Sequence, residues 1–131
     1  MYKVDHFING KSSSESNKTS KIYNPSYGTE IGEVLCATNE VADKAVESAY
    51  EASKAWSKTG LIYRSELILK FRQNVINRSK EIIDLGISEA GKTRPDAEAE
   101  LDRAVQALTH IAGVQHFYPS HYSQNLSLIH I

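Results

Sequence analysis

The run Gly86-Ile87-Ser88-Glu89-Ala90-Gly91-Lys92-Thr93 fits the pattern G-x-x-x-x-G-K-[ST] letter for letter. At that spacing a glycine-rich loop can wrap a phosphate in successive backbone N–H groups while the lysine neutralises it. The chemistry needs a buried strand before the loop and a helix starting at the lysine. Here Lys80 to Leu85 has helical periodicity, the intervening Ile-Ser-Glu-Ala contains no glycine, and Glu89 sets negative charge against the phosphates. The next helix is expected near Pro95 and not at Lys92. A nucleoside-triphosphate site is therefore set aside, and Gly91 is read as the close of a helical segment.

Other reactive residues are sparse. Cys36 is the only cysteine, which excludes an internal disulfide and accords with a reducing compartment. It ends an alternating stretch, with no histidine or basic residue close by in sequence to lower its pKa, so it reads as a buried structural thiol. His110, His116 and His121 are spaced six and five apart. Those spacings do not align ligands on one helical face, and no carboxylate or cysteine joins them as a metal set. Glu98, Glu100 and Asp102 read as the polar face of a helix. No Ser/His/Asp order stands out, and the three Asn-x-Ser/Thr tripeptides lack a secretion signal to give them meaning.

The scaffold that must position such residues is ordinary in composition. The chain has 131 residues, 40% hydrophobic and 24% charged, with a net charge of -1. That charge gives no field for nucleic acid or an anionic membrane. No apolar stretch approaches the ~20 residues of a membrane span. The start, MYKVDHFINGK, carries neither a signal-peptide core nor the arginines of a transit peptide, so a cytoplasmic location is expected.

Residues 2 to 9 favour extended structure, with a turn at Asn9-Gly10. Lys11 to Lys21 is a polar run, expected as a surface loop. Ile22 to Cys36 reads as a hairpin around a tight turn at Pro25-Ser26-Tyr27-Gly28. Thr38 can cap a helix, with Glu40 in its first turn. Val41, Ala45, Ala49, Ala52 and Trp56 line one face of that helix, and Gly60 is expected to end it. Leu67, Ile68, Phe71 and Val75 mark a second helix, with a break at Asn77 or Ser79 before Ile82, Ile83, Leu85 and Ile87. Thr93-Arg94-Pro95-Asp96 is a capping-box signature. Ala97, Leu101, Val105, Leu108 and Ala112 form the stripe of a last helix that fades near Gly113 to Pro119. Such helices normally cover a parallel sheet. No run of buried parallel strands is present in the sequence, so the chain reads as part of a larger α/β domain.

The order of these pieces carries a resemblance. FING (Phe7 to Gly10), then IYNPSYGTEIGEV (Ile22 to Val34), then amphipathic helices, then EAGKTRPDAEAELDRA (Glu89 to Ala104) resembles the N-terminal portion of the aldehyde dehydrogenase superfamily. Within it, AELDRAVQALTHIAG (Ala99 to Gly113), with His116, Tyr122 and Ser123, is most similar to the methylmalonate-semialdehyde branch, more than to the succinate-semialdehyde one. Ala99-Glu100 departs from that branch, which usually has Gly-Asp or Gly-Glu before the arginine.

The resemblance implies an α/β, aldehyde dehydrogenase-like fold. Residues 1–125 would be the N-terminal part of the nucleotide-binding domain: a β-hairpin and three to four amphipathic helices, with the parallel sheet missing. It implies a parent oxidoreductase in which a cysteine thiolate attacks an aldehyde, hydride passes to NAD, and the thioester is released to coenzyme A. The nucleophilic cysteine, the catalytic asparagine and the nucleotide-contacting loops would all lie beyond this chain, leaving it inactive alone. The parent would be a homo-dimer or homo-tetramer acting on a small aldehyde. Glu89, Gly91 and Lys92 match a helix-to-helix corner of the family. Arg103 matches the position whose arginine helps hold the substrate carboxylate, where a planar guanidinium binds both oxygens at once. By periodicity alone, Arg103 lies opposite the apolar stripe and could pair with Glu100.

The closing Leu126-Ser127-Leu128-Ile129-His130-Ile131 matches one reading frame of a transposase adapter used in sequencing libraries, and residues 126–131 are expected to be its scar. The competing functional class is a non-enzymatic helical interaction module whose bare apolar stripes serve a partner.

Overall fold

The computed structural model describes residues 1–113 and residue 116. His121, Tyr122, Ser123 and the expected scar at 126–131 lie outside the described residues. Contacts divide the chain into two units, Met1–Ser57 with Gly86–Lys92, and Lys58–Leu85 with the chain from Thr93 onward.

In the first unit, Asn9 and Gly10 both take positive φ, 53° and 73°. That is the backbone of the two-residue hairpin turn whose twist matches its strands. It joins β2 (His6–Ile8) to β3 (Lys11–Ser13), paired antiparallel from His6↔Ser13 to Ile8↔Lys11. The polar run expected as a loop from Lys11 to Lys21 is therefore corrected at both ends, because Lys11–Ser13 is a strand and β4 (Thr19–Asn24) begins inside it. A ladder is built from main-chain groups, so once the turn fixes register, polar side chains do not prevent pairing.

The expected hairpin is present as β4 and β5 (Thr29–Leu35), antiparallel from Thr19↔Leu35 to Asn24↔Thr29. Its turn closes with the Gly28 N–H on the Asn24 carbonyl at 2.8 Å, and the Asn24 side chain accepts from the Ser26 N–H at 2.9 Å. The hairpin is not alone. β1 (Tyr2–Val4) pairs parallel to β5 with Tyr2↔Gly32 in register, giving a sheet ordered β1-β5-β4. Gly32 allows this approach: a Cβ there would stand 2.6 Å from the Tyr2 carbonyl oxygen. One parallel pair thus exists where the sequence suggested none.

α1 (Asn39–Trp56) starts at Thr38, whose hydroxyl oxygen accepts the Val41 N–H at 3.4 Å. Val41 is 4% exposed, Ala45 is half-buried, and Ala49, Ala52 and Trp56 are exposed. The stripe is real, but only its N-terminal end is covered. Ser57 caps α1, and Gly60 instead sits in extended conformation as the N-cap of α2 (Leu61–Asn77). The expected role of Gly60 is corrected accordingly: the Ser57 N–H reaches the Ser53 carbonyl, so α1 ends without a left-handed residue.

In the second unit α2 packs on α4 (Arg94–Ala112). Ala97 and Ala112 are buried and Leu101, Val105 and Leu108 half-buried, as the stripe requires. The Ser65 hydroxyl donates to the Ala112 carbonyl, and Arg72 Nε donates to Thr109 Oγ1 at 2.7 Å. The break between α2 and α3 (Ser79–Ala90) falls at Arg78, between the two residues expected to make it. Asp84 accepts from Lys80 Nζ and from Arg94, each at 2.8 Å, so one carboxylate ties α3 to the first residue of α4.

Among the described residues the buried hydrophobic side chains are Leu35, Val41, Ala97 and Ala112. Phe7, Ile62 and Phe71 are more than half exposed. No helix is long and apolar enough to cross a membrane.

Candidate functional site

α4 is held in place at both ends. At its start the Thr93 hydroxyl oxygen accepts the Asp96 N–H at 3.4 Å, and the hydroxyl itself lies 2.7 Å from the Asp96 carboxylate. Pro95 sits in the first turn, where its missing N–H has no cost. The capping expected from the sequence is therefore present. Along the helix, residues advance about 100° each. Leu101 belongs to the half-buried stripe, and Arg103 stands about 160° around the helix from it. Arg103 is exposed, as are Ala99, Gln106, Ala107 and His110 on the same face. The structure gives the second unit one helix with an apolar side turned to packing and a side carrying Arg103 left exposed. An open guanidinium can bind a carboxylate through two parallel N–H···O bonds.

The phosphate-loop lookalike is not a loop. Gly86 to Ala90 are helical, so their N–H groups are engaged within α3 and cannot converge on a phosphate. Gly91 follows at φ 63°, its N–H bonded to the Ile87 carbonyl at 3.0 Å, which is the helix stop expected of it. The corner is packed within the first unit: a Cβ on Gly91 would meet Pro25 Cγ at 2.9 Å and Ser26 Oγ at 3.1 Å. The β5-to-α1 connection, Cys36-Ala37-Thr38, also lacks glycine. Among the described residues no glycine-rich loop joins a strand to a helix.

Cys36 is free and half-buried, where burial was expected. It stands one residue past β5, with its N–H on the Lys18 carbonyl at 2.8 Å. No group of three or more His, Cys, Asp or Glu residues is placed to hold a metal among the described residues. His110 and His116 both take part in other interactions.

One polar link had no sequence signal. The Tyr2 hydroxyl donates to Glu89 Oε1, 87 positions along the chain. The bond to a carboxylate raises the Tyr2 phenol to about 12, because losing the proton would set two anions together. No periodicity or motif connects two residues so far apart.

The profile of the Aldehyde dehydrogenase family matches residues 12–126. The chain belongs to the aldehyde dehydrogenase family. Mouse mitochondrial methylmalonate-semialdehyde/malonate-semialdehyde dehydrogenase [acylating] is 37% identical over 112 residues, 85% of this chain and 21% of that protein. Malonate-semialdehyde dehydrogenase of Bacillus pumilus is 32% identical over 99 residues, 76% of this chain and 20% of that protein. Among solved structures, one assigned as methylmalonate-semialdehyde dehydrogenase of Sinorhizobium meliloti, with NAD bound, superposes with a TM-score of 0.87 at 30% identity. It covers 97% of this chain and 26% of that one. The chain thus spans about a fifth of the length of the curated relatives it matches. The aldehyde dehydrogenase fold inferred from the order of elements is the fold observed.

Proposed function

We propose that this chain is the N-terminal part of an NAD-dependent aldehyde dehydrogenase that oxidises methylmalonate or malonate semialdehyde to an acyl-CoA. Within it, Arg103 binds the substrate's carboxylate. Two things support the reading: the names of the relatives, and the open face of α4, which presents Arg103 away from every packed contact of the stripe. The second carries the assignment. A semialdehyde acid brings an anion that must be paired once water is excluded, and a planar guanidinium can bond both of its oxygens at once.

The residues of this chain bind and orient; the oxidation is assigned to the remainder of the enzyme. NAD, when bound, accepts the hydride, and its pyrophosphate is held outside the described residues. Coenzyme A takes the acyl group in the same reading, without a site here. Residues 1–125 are the N-terminal part of the enzyme's nucleotide-binding domain. The complete enzyme is a homo-oligomer, a dimer or tetramer, of the cytoplasm.

The test is Arg103→Leu in the complete enzyme, assayed on methylmalonate semialdehyde and on propanal, which lacks the carboxylate. Loss of a hydrogen bond to a charged group predicts a fall of roughly ten- to a hundred-fold in kcat/KM on the acid, with propanal unaffected. Equal loss on both substrates, or on neither, returns Arg103 to a solvated helix face.

A further inference from the structure

The turn between β2 and β3 sets a side-chain amide directly before an unshielded backbone nitrogen. Asparagine is a chemically labile side chain, because the nitrogen of the following residue can attack its Cγ and close a five-membered ring. Of the asparagines in the chain, only Asn9 is followed by glycine. Gly10 has no Cβ to screen that nitrogen, and apart from its chain neighbours no heavy atom lies within 4 Å of where a Cβ would stand. Asn9 and Gly10 are both exposed, and they rim an open cavity of about 400 Å³ shared with Phe7, Ala45 and Ala49, so water reaches them. Asn24-Pro25 is the opposite case, since proline has no N–H to give.

The closed turn opposes the reaction. Ring closure needs rotation about the Asn9 Cα–C bond, and the ladder from His6↔Ser13 to Ile8↔Lys11 holds that bond from both sides. Little else holds the ladder. β2 and β3 make a two-stranded sheet of their own, apart from the β1-β5-β4 sheet, and Phe7 is 76% exposed. An isolated two-stranded hairpin is marginal in water, so this turn opens locally at a lower free energy than global unfolding requires.

We propose that Asn9 is a self-modification site that reacts from the opened β2–β3 hairpin, with water as the only co-reactant. The Gly10 nitrogen bonds to Asn9 Cγ as the Cγ–Nδ2 bond breaks, and ammonia leaves carrying the Gly10 proton. Water then opens the ring, and no atom is oxidised or reduced. Attack at Cγ gives aspartate; attack at the main-chain carbonyl gives isoaspartate, with the chain running through Cβ. The isoaspartate route adds one atom to the main chain of a two-residue turn. The original register cannot re-form around it, and the hairpin stays open.

Peptide mapping and ammonia release from the full 131-residue chain, held in mildly alkaline buffer with and without urea, test this. Asn9 is expected to convert first among the asparagines, and more slowly in buffer than in urea because only the opened hairpin reacts. Asn9→Gln should abolish the early ammonia. Hydrogen exchange should be slower in β3 of the unreacted chain than in β3 of the isoaspartate form. The proposal is overturned if Asn9 stays intact in buffer, whether or not another asparagine reacts. Equal rates in buffer and urea would take control away from the hairpin and overturn it too. So would an isoaspartate form whose β3 amides exchange as slowly as those of the unreacted chain.

Discussion

Tyr2 and Glu89 are joined by a hydrogen bond that ties the first strand to the last turn of α3. The same tyrosine lies over Gly32, its ring carbons 3.2 Å from where a Cβ would be, so one side chain bridges the sheet and the helix corner. In the first unit, this is how residues from opposite ends of the unit's sequence are brought together.

The neutral phenol donates the bond, and its pKa is raised to about 12. A raised value means the link is fully present below the ordinary tyrosine pKa near 10 and is lost as pH rises through about 12. Ultraviolet titration of phenolate absorbance should show one tyrosine ionising above the rest, and Tyr2→Phe should remove that step. A Tyr2→Phe curve that keeps the late step would assign it elsewhere.

Gly91 and Gly28 both have positive φ, 63° and 67°, but only Gly91 has neighbours where a side chain would go. Gly28→Ala should cost only the strain of a left-handed residue, about 1–2 kcal/mol. Gly91→Ala adds a clash with Pro25 and should cost more. Hydrogen exchange of the Gly28 and residue-91 amides in the two variants compares them; equal loss of protection would show that the packing on Pro25 contributes nothing.

Asp84 is held below its ordinary value of 3.8 by hydrogen bonds from Lys80 and Arg94. A lowered carboxyl stabilises the folded chain above that ordinary value, and the contribution disappears as pH falls through the depressed one. Asp84→Asn should therefore melt below the parent at pH 7, with the gap closing below about pH 4. A gap that persists at pH 2 would mean the substitution acts through packing.

Four small or medium apolar side chains are buried among the described residues, while Phe7, Ile62, Tyr63 and Phe71 are largely exposed. A chain with so little covered apolar surface should bind a hydrophobic dye strongly and melt over a broad range. A sharp two-state transition from a monomer, with no dye binding, would contradict this.

Purified alone, the 131-residue chain is expected to form no NADH from any semialdehyde. Cys36 is half-buried just past the end of β5, and the function we propose gives it no part in the oxidation. Activity that disappears in Cys36→Ala would make this thiol the nucleophile and overturn the assignment.

What the sequence determined by itself were the features fixed by neighbours a few residues apart. Thr38 and Thr93 cap helices because a hydroxyl must satisfy an N–H two or three residues on. Gly91 stops α3 because only glycine takes a left-handed conformation without strain. The stripe from Ala97 to Ala112 put Arg103 on the open side of α4, since 3.6 residues per turn decide that without any partner. Tertiary structure decided everything that depends on distant segments. Alternation in residues 2 to 9 and 31 to 35 says which side chains share a face but not which strand pairs with which, so the parallel β1–β5 ladder and the Tyr2–Glu89 bond were invisible. It also decided how much of each stripe is covered: α1 carries the same periodicity as α4, yet Ala49, Ala52 and Trp56 stay exposed. Periodicity specifies a face that can be buried, and burial itself requires a second surface brought there by the fold.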